Sequence, residues 1–304
     1  MAPSYNLPLL SVVVFVRNAV ETLDRALASV TSNDQPAVEL LVLDGGSTDG
    51  TVGVIRRYER HLAFWRSHKD ESATDAINEG VRQASGDVIC LLPADDWFEQ
   101  GALRWVEDEF AGNPELDVLS CGTRIVHFDQ DGDMHVDATF LSPEILEFKM
   151  SNIVRYPLTA ARFIRRRVYE RFGGHDLHYR MSNDFDFLAR VCMARLKSRV
   201  LPRLVYTYCR HEGSSTLSGR PEMVMIMMAE NMRISAYHLQ DPQIDSEARR
   251  ALLGMHGRSS ARLAWMVARQ GKLIEAFQIL VRAMKLDWRW PIMVWFWLAR
   301  GIIE

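Results

Sequence analysis

Apolar and polar positions over the first 110 residues alternate between two rhythms. Continuous apolar runs at 11–16, 39–43 and 88–92 predict buried strands, with a weaker one at 63–67. Between them, residues 21–31 (Leu23, Leu27, Val30), 51–58 and 75–84 (Ile77, Val81, Ala84) carry apolar side chains at helical spacing, and 97–110 predicts a further helix. Such alternation predicts an α/β fold with a mostly parallel central sheet flanked by helices. After residue 115 the pattern is mixed. Residues 118–128 and 134–140 read as a hairpin around Asp129-Gln130-Asp131-Gly132-Asp133, 165–172 and 184–195 as helices, and 200–208 as a strand. From Pro221 onward everything reads helical, with 260–285 patterned as an antiparallel helix pair about Gly271. Ser218-Gly219-Arg220-Pro221 breaks the rhythm, so the expected division is a domain at 1–218 and a helical C-terminal region at 219–304.

Charge changes this picture by exclusion. With 36 basic and 39 acidic residues the net charge is −3, which gives no reason to expect a nucleic-acid partner. The cysteines Cys90, Cys121, Cys192 and Cys209 are scattered without a Cys-x-x-Cys pair, as expected of reduced thiols in a cytoplasmic protein. Residues 1–10 show neither a basic start nor a long apolar core, so no secretory signal is expected. No apolar run reaches the roughly 18 residues needed to span a bilayer.

Four segments carry candidate chemistry. Asp95 and Asp96 follow the apolar run 88–92, at the carboxyl end of a predicted strand, where open α/β sheets bind ligands. The pair suits a divalent cation with oxygen ligands, or else a solvated turn with Asp96 capping the next helix. Asp44 ends the second strand and is followed by Gly45-Gly46-Ser47-Thr48, an arrangement that lets backbone approach an anion or forms an ordinary turn, with Ser47 or Thr48 as candidate helix cap. In Asp70-Glu71-Ser72-Ala73-Thr74-Asp75-Ala76-Ile77-Asn78-Glu79-Gly80, the poor helix formers Asn78 and Gly80 suggest a ligand-facing role, while Thr74 or Asp75 is a candidate cap. Asp184 opens a predicted helix, where the helix dipole or a general-base role would place it, and His211 follows a strand before a Gly/Ser loop, as a core histidine or a metal or phosphate ligand would.

Taken in order, these segments resemble the inverting family 2 glycosyltransferases of the nucleotide-sugar-binding GT-A fold. The resemblance runs through Ser11-Val12-Val13-Val14-Phe15-Val16-Arg17-Asn18, Asp44-Gly45-Gly46-Ser47-Thr48-Asp49-Gly50-Thr51, Asp75-Ala76-Ile77-Asn78-Glu79-Gly80 and Ala94-Asp95-Asp96-Trp97. It implies that Asp44 contacts the donor base, usually uracil. Asp75 would line the donor's ribose and phosphate side, and Val16, Asn18, Gly46, Asn78, Ala94 and Asp95 would complete the donor-binding set. It further implies Mn²⁺ or Mg²⁺ held by Asp95, Asp96 and His211, and Asp184 as the catalytic base. The sequence departs from the family pattern at Pro93, which stands where the first acid of Asp-x-Asp belongs, at Gly45 and at Phe15.

The implied activity is transfer of a sugar from a nucleotide-diphosphate donor, a UDP-sugar, to a saccharide or lipid-linked acceptor, with inversion, in bacterial polysaccharide biosynthesis. A non-catalytic nucleotide-sugar or glycan-binding subunit of a polysaccharide assembly complex is the alternative, and Pro93 favours it. A sugar nucleotidyltransferase would need a Gly-rich, Lys/Arg-bearing first loop that Phe15-Val16-Arg17-Asn18-Ala19 does not supply. The stretch from Trp288 to Ile303, with the arginines of 155–220, suits peripheral contact with the inner face of the plasma membrane, or packing of a terminal helix. Donor sugar, acceptor, linkage and oligomeric state have no readable code.

Overall fold

The computed structural model describes residues 9–32, 36, 38–155, 159–211 and 220–287. The chain divides into two compact units: residues 1–148, 158–177 and 190–212 form the first, and 149–157, 178–189 and 213–304 the second. The second therefore takes in two earlier segments besides the C-terminal helices.

The first unit is built on one sheet. Its strands are β1 (Leu10–Val16), β2 (Val38–Asp44), β3 (Phe64–Ser67), β4 (Val88–Pro93), β5 (Trp97–Phe98), β6 (Val118–Phe128), β7 (Met134–Phe140), β8 (Arg162–Arg165) and β9 (Ser198–Cys209). They lie in the order β3-β2-β1-β4-β8-β6-β9-β5, with β7 paired to β6. β3, β2, β1 and β4 run parallel, as do β6 and β9, while β8 is antiparallel to β4 and to β6. The helices are α1 (Leu23–Thr31), α2 (Thr51–Tyr58), α3 (Ala73–Gln83), α4 (Ala102–Gly112), the single turn α5 (Pro143–Leu146), and, after the short α6 (Met150–Ile153) of the second unit, α7 (Arg166–Phe172). Continuous apolar runs form the inner strands because both faces are covered: Val12, Val14, Leu40, Val42, Cys90 and Leu92 share one core with Leu23, Leu27, Val54 and Phe110 from the helices.

Two expectations change. Residues 97–110 are not one helix. Trp97 and Phe98 pair antiparallel with Thr207 and Tyr206, and the helix begins only after Gly101, whose φ of +68° breaks the chain between them. Asp96 therefore caps no helix. Gly80 does not face a ligand: a Cβ there would lie 2.3 Å from Val13 Cγ1 and 2.9 Å from Leu43 Cδ2, so its bareness lets α3 press onto β1 and β2.

α8 (Asn183–Met193) begins in the second unit. Besides α6, that unit holds α9 (Pro221–His238), α10 (Ser246–Arg269), capped by Asp245, and α11 (Leu273–Leu286). Val224 and Met228 of α9, Leu263, Ala264 and Val267 of α10 and Ala276 of α11 form its core, and the α10–α11 pair turns at Gly271 as its pattern predicts. No helix among the described residues is long and apolar enough to cross a membrane. Cys90, Cys121 and Cys209 are buried thiols.

Candidate active site

Three parallel strands end together at one edge of the sheet. The register pairs Val16 with Asp44 across β1–β2 and Phe15 with Pro93 across β1–β4. Strand order reverses at β1, and the crevice outside the carboxyl ends at such a point is where open α/β sheets take ligands. A pocket of about 140 Å³ opens there, lined by Phe15, Val16, Arg17, Gly45 and Asp70 and by the start of α3 at Ser72, Ala73 and Ala76. Gly45 is its narrow point: a Cβ would lie 3.2 Å from Asp70 Oδ2 and 3.5 Å from Arg17.

Asp44 organises this edge from inside. It is fully buried, and its carboxylate accepts hydrogen bonds from Ser47 N (3.0 Å), from the Ser47 hydroxyl and from Ser67 Oγ (2.5 Å). The side chain expected to meet a base is thus spent on the turn that follows it. Ser47 consequently does not cap α2, whose cap is Gly50. Gly46 takes φ +76°, with room for a Cβ only 3.1 Å from Lys69 N.

Arg66 ties the same edge together. It reaches Glu79 Oε2 through Nε (3.0 Å) and a terminal nitrogen (2.7 Å), the Asp44 carbonyl at 2.7 Å and Asp70 Oδ2 at 3.1 Å. Its hydrogen bonds hold the Glu79 carboxyl below the ordinary range. Asp70 and Glu71 both line the pocket, and Asp70 is the one oriented by Arg66.

The remaining donor-binding candidates divide. Val16 lines the pocket, and its carbonyl accepts from Gly45 N at 2.8 Å. Asn18 donates its backbone N–H to Ser47 Oγ (2.7 Å) and accepts from Thr48 N (2.9 Å), stitching the loops after β1 and β2. Ala94 is buried, and Asp75 sits half-buried in the first turn of α3, where Ser72 rather than Thr74 or Asp75 is the cap. Asn78 is not ligand-facing: its amide donates to His175 O at 2.7 Å and accepts from His175 N at 2.8 Å, a two-way clamp between α3 and the chain after α7.

Beyond β4, the two adjacent acids part company. Asp95 Oδ2 lies 2.9 Å from His211 Nε2, and both side chains are open to solvent, 36% and 41% exposed. Asp96 turns inward and accepts from the Tyr206 hydroxyl and from Cys209 N at 2.8 Å. Burial lifts its pKa to about 7 against those two hydrogen bonds, which pull it down. An acid taken up in this way is an anchor for β9, not a surface ligand, and the metal-ligand expectation for Asp96 is corrected on that ground. Arg25 backs the loop, donating to Asp95 O (3.3 Å) with its guanidinium 4.1 Å from the Trp97 ring centroid. Arg210, next to His211, is clamped by β6 and β7: its N–H donates to Val126 O (2.7 Å) and its Nε to Asp137 Oδ2 (2.9 Å), while Asp137 Oδ1 meets His127 Nδ1 at 2.8 Å.

In the second unit, Asp184 stands in the first turn of α8 and accepts from Phe185 N at 2.7 Å. The approach to that helix is fixed by Glu230 of α9. Its buried carboxylate accepts from the backbone N–H groups of Arg180, Met181 and Ser182, each at 2.8 Å. Three charge-assisted bonds to consecutive amides hold the loop that enters α8 in one conformation.

Residues 11–173 match the family model described as glycosyl transferase family 2. The chain belongs to this family. A PGL/p-HBAD biosynthesis glycosyltransferase of Mycobacterium bovis is 27% identical over 237 residues, covering 75% of this chain and 87% of that one. Among solved structures, S. aureus TarS 1–349 in complex with UDP-GlcNAc is similar with a TM-score of 0.59, at 15% identity, over 93% of this chain and 91% of that one. A mannosyltransferase of Pyrobaculum calidifontis, solved with GDP-Man and Mn²⁺, gives a TM-score of 0.57 at 17% identity, over 98% and 81%. The fold is GT-A and the protein is a glycosyltransferase.

Several residues that build this glycosyltransferase's site escape sequence reasoning. Arg66 and Asp70 lie on a strand end and loop, where no periodicity marks them. Arg25 lies on a helix and reaches the site only because the fold brings Asp95 and Trp97 beside it. Asp137 lies on the expected hairpin strand 134–140, but nothing local marks its role of steadying Arg210, the neighbour of His211. Glu230 alone leaves a trace, an isolated acid in the Met-rich run Met223 to Met232. The Gly/Ser loop beyond His211 and the stretch from Trp288 to Ile303 lie outside the described residues.

Proposed function

We propose that this enzyme moves a sugar from a nucleotide-diphosphate donor to a hydroxyl of a saccharide or lipid-linked acceptor, with inversion at the anomeric carbon. The observation that carries the reading is the pairing of Asp95 with His211 at the carboxyl end of β4, on the same sheet edge as the pocket beside Gly45. The donor's nucleoside end suits that pocket. Asp70, held by Arg66, presents a carboxylate oxygen able to accept from a uracil N–H, which favours a UDP-sugar. Asp44 shapes the wall through Ser47 and Ser67, and Asp75 stands in the α3 turn on the ribose and phosphate side.

A divalent cation is tested by the donors present. Asp95 and His211 offer one carboxylate oxygen and one imidazole nitrogen 2.9 Å apart, a mixed O/N set that suits Mn²⁺ better than Mg²⁺, which prefers oxygen ligands throughout. No group of three or more His, Cys, Asp or Glu among the described residues could hold an ion. The protein would thus supply these two ligands, with the diphosphate oxygens and water completing the shell. Bound there, such an ion supplies positive charge against the charge that builds on the leaving diphosphate.

The remaining chemistry belongs to side chains. Asp184 takes the proton of the acceptor hydroxyl as that oxygen forms its bond to the anomeric carbon. The bond from that carbon to the diphosphate oxygen breaks with its electron pair leaving on the nucleoside diphosphate, so one displacement inverts configuration. Placement in bacterial polysaccharide biosynthesis accords with the name of one relative, the poly-beta-1,6-N-acetyl-D-glucosamine synthase of Staphylococcus epidermidis, 29% identical over 36% of this chain.

A donor-turnover assay tests the proposal. The wild-type enzyme releases nucleoside diphosphate in the presence of acceptor, and Asp184→Asn abolishes release while retaining donor affinity. Equal loss of both would remove Asp184 as base. Pro93, in place of the first motif acid, is the one feature favouring a non-catalytic sugar-nucleotide-binding subunit, which would bind donor and release nothing.

A further inference from the structure

α11 carries two faces that do different work. Ala276 and Ala283 are buried against the second unit's core, with Ile279 and Leu280 packed beside them. The adjacent face is apolar too, and it is bare: Leu273, Ile274 and Phe277 are 68%, 77% and 66% exposed, and Met284 continues the stripe about two turns beyond Phe277. Residues 273, 277, 281 and 284 are spaced four, four and three apart, so the stripe runs the length of the helix. Single exposed leucines need no explanation, but a contiguous row of large apolar side chains does.

Two observations name what covers it. The stripe is bordered by cations: Arg282 and Lys285 lie on the exposed polar side of α11, and Lys272 precedes its first turn, with only Glu275 against them on the helix surface. At the foot of the neighbouring helix, Arg269 stacks 4.8 Å over the half-exposed Trp265. The chain then continues past α11 for the residues from Trp288 to Glu304, which include Trp288, Trp290, Trp295 and Trp297, with Arg289 and Arg300 and a single acid at the end. An exposed apolar stripe, a basic border and a tryptophan-rich continuation together match a surface that is apolar inside and anionic at its edge. A second copy of the chain would set Arg282 and Lys285 against themselves.

We infer that the exposed face of α11 is a membrane-docking surface that seats the enzyme on an anionic lipid bilayer. The helix lies in the interface plane, with Leu273, Ile274 and Phe277 entering the acyl boundary and Lys272, Arg282 and Lys285 at the headgroups. This goes beyond the transfer reading, and the two fail separately, since vesicle binding and donor turnover are independent readouts.

The test is flotation of the full chain with vesicles of phosphatidylcholine alone and of phosphatidylcholine mixed with phosphatidylglycerol. Binding is expected to the mixed vesicles, weakened by salt. The double variant Ile274→Glu, Phe277→Glu should reduce it on the order of tenfold or more, with thermal midpoint and donor turnover unchanged. Absence of binding by the wild type, or equal binding by the variant, overturns the inference. Failure to bind vesicles, with self-association that the variant abolishes in sedimentation velocity, overturns it in favour of a second copy. A lowered midpoint in the variant without vesicle binding overturns it in favour of cover by the chain's own C-terminal segment.

Discussion

Asp95 and His211, 116 residues apart in sequence, meet through Oδ2 and Nε2 at 2.9 Å. β4 delivers the first and β9 the second. The acid next door, Asp96, makes that meeting possible by bonding to Tyr206 and Cys209 and pinning β9 alongside. One Asp-Asp pair thus splits into a structural acid and an accessible one.

If Asp95 and His211 act on the same group, their loss is not additive. Asp95→Ala and His211→Ala should each lower donor turnover roughly 10²–10³-fold. The double variant should be little worse than the poorer single one. Multiplying losses in that cycle would show that the two residues serve different groups.

Glu230 is expected to govern the α8 entry. Glu230→Gln places an amide N–H against one of three backbone donors and removes the charge. The expected cost is about 3 kcal/mol, read as a lower midpoint in chemical denaturation. Turnover should fall more than donor affinity does, since the segment it holds leads into Asp184. Unchanged stability would mean that the three amides find other acceptors.

Much of this was legible in the sequence, and the residues that were not share a cause. The strands 11–16, 39–43 and 88–92 were read nearly to their ends because a doubly covered sheet demands continuous apolar runs, and 118–128 with 134–140 because the Asp129-Gln130-Asp131-Gly132-Asp133 turn marks a hairpin between them. β8 was missed: Arg162-Phe163-Ile164-Arg165 is four residues long and flanked by arginines, and its pairing with β4 and β6 is what makes it a strand. Asn78 and Gly80 were rightly singled out as odd in a helix, but the oddity serves packing, one clamping His175 and the other admitting Val13. The same limit applies to Asp96. Adjacent acids look alike in sequence, and only the partner strand decides which one is buried. Residues whose role is a long-range hydrogen bond, such as Arg66 and Asp137, leave no local pattern.

A buried histidine gives the second unit a pH dependence. His256 on α10 is buried and meets Met232 O through Nδ1 at 3.1 Å; desolvation lowers its pKa below the ordinary 6.5, and that hydrogen bond only partly offsets it. The native state therefore favours the neutral ring, and the unfolded chain takes up a proton first as pH falls. Stability from this group is intact above ~6.5 and is lost as pH drops from there through the folded pKa. Denaturant midpoints measured from pH 7.5 to pH 5 should decline over that lower range, and His256→Gln, which cannot ionise, should flatten the decline. An identical slope in the variant would assign it to other groups.

The central claim is that Asp95 belongs to a nucleotide-diphosphate site on the β1–β2–β4 edge. It is tested most directly by a thermal-shift screen of nucleoside diphosphates and nucleotide sugars, with and without Mn²⁺, on the wild type and Asp95→Ala. Ligands that bind the native state raise the midpoint by mass action. The account predicts a shift for uridine nucleotides that needs Mn²⁺ and disappears in Asp95→Ala. A shift of equal size in the variant, or none with any nucleotide, would contradict it.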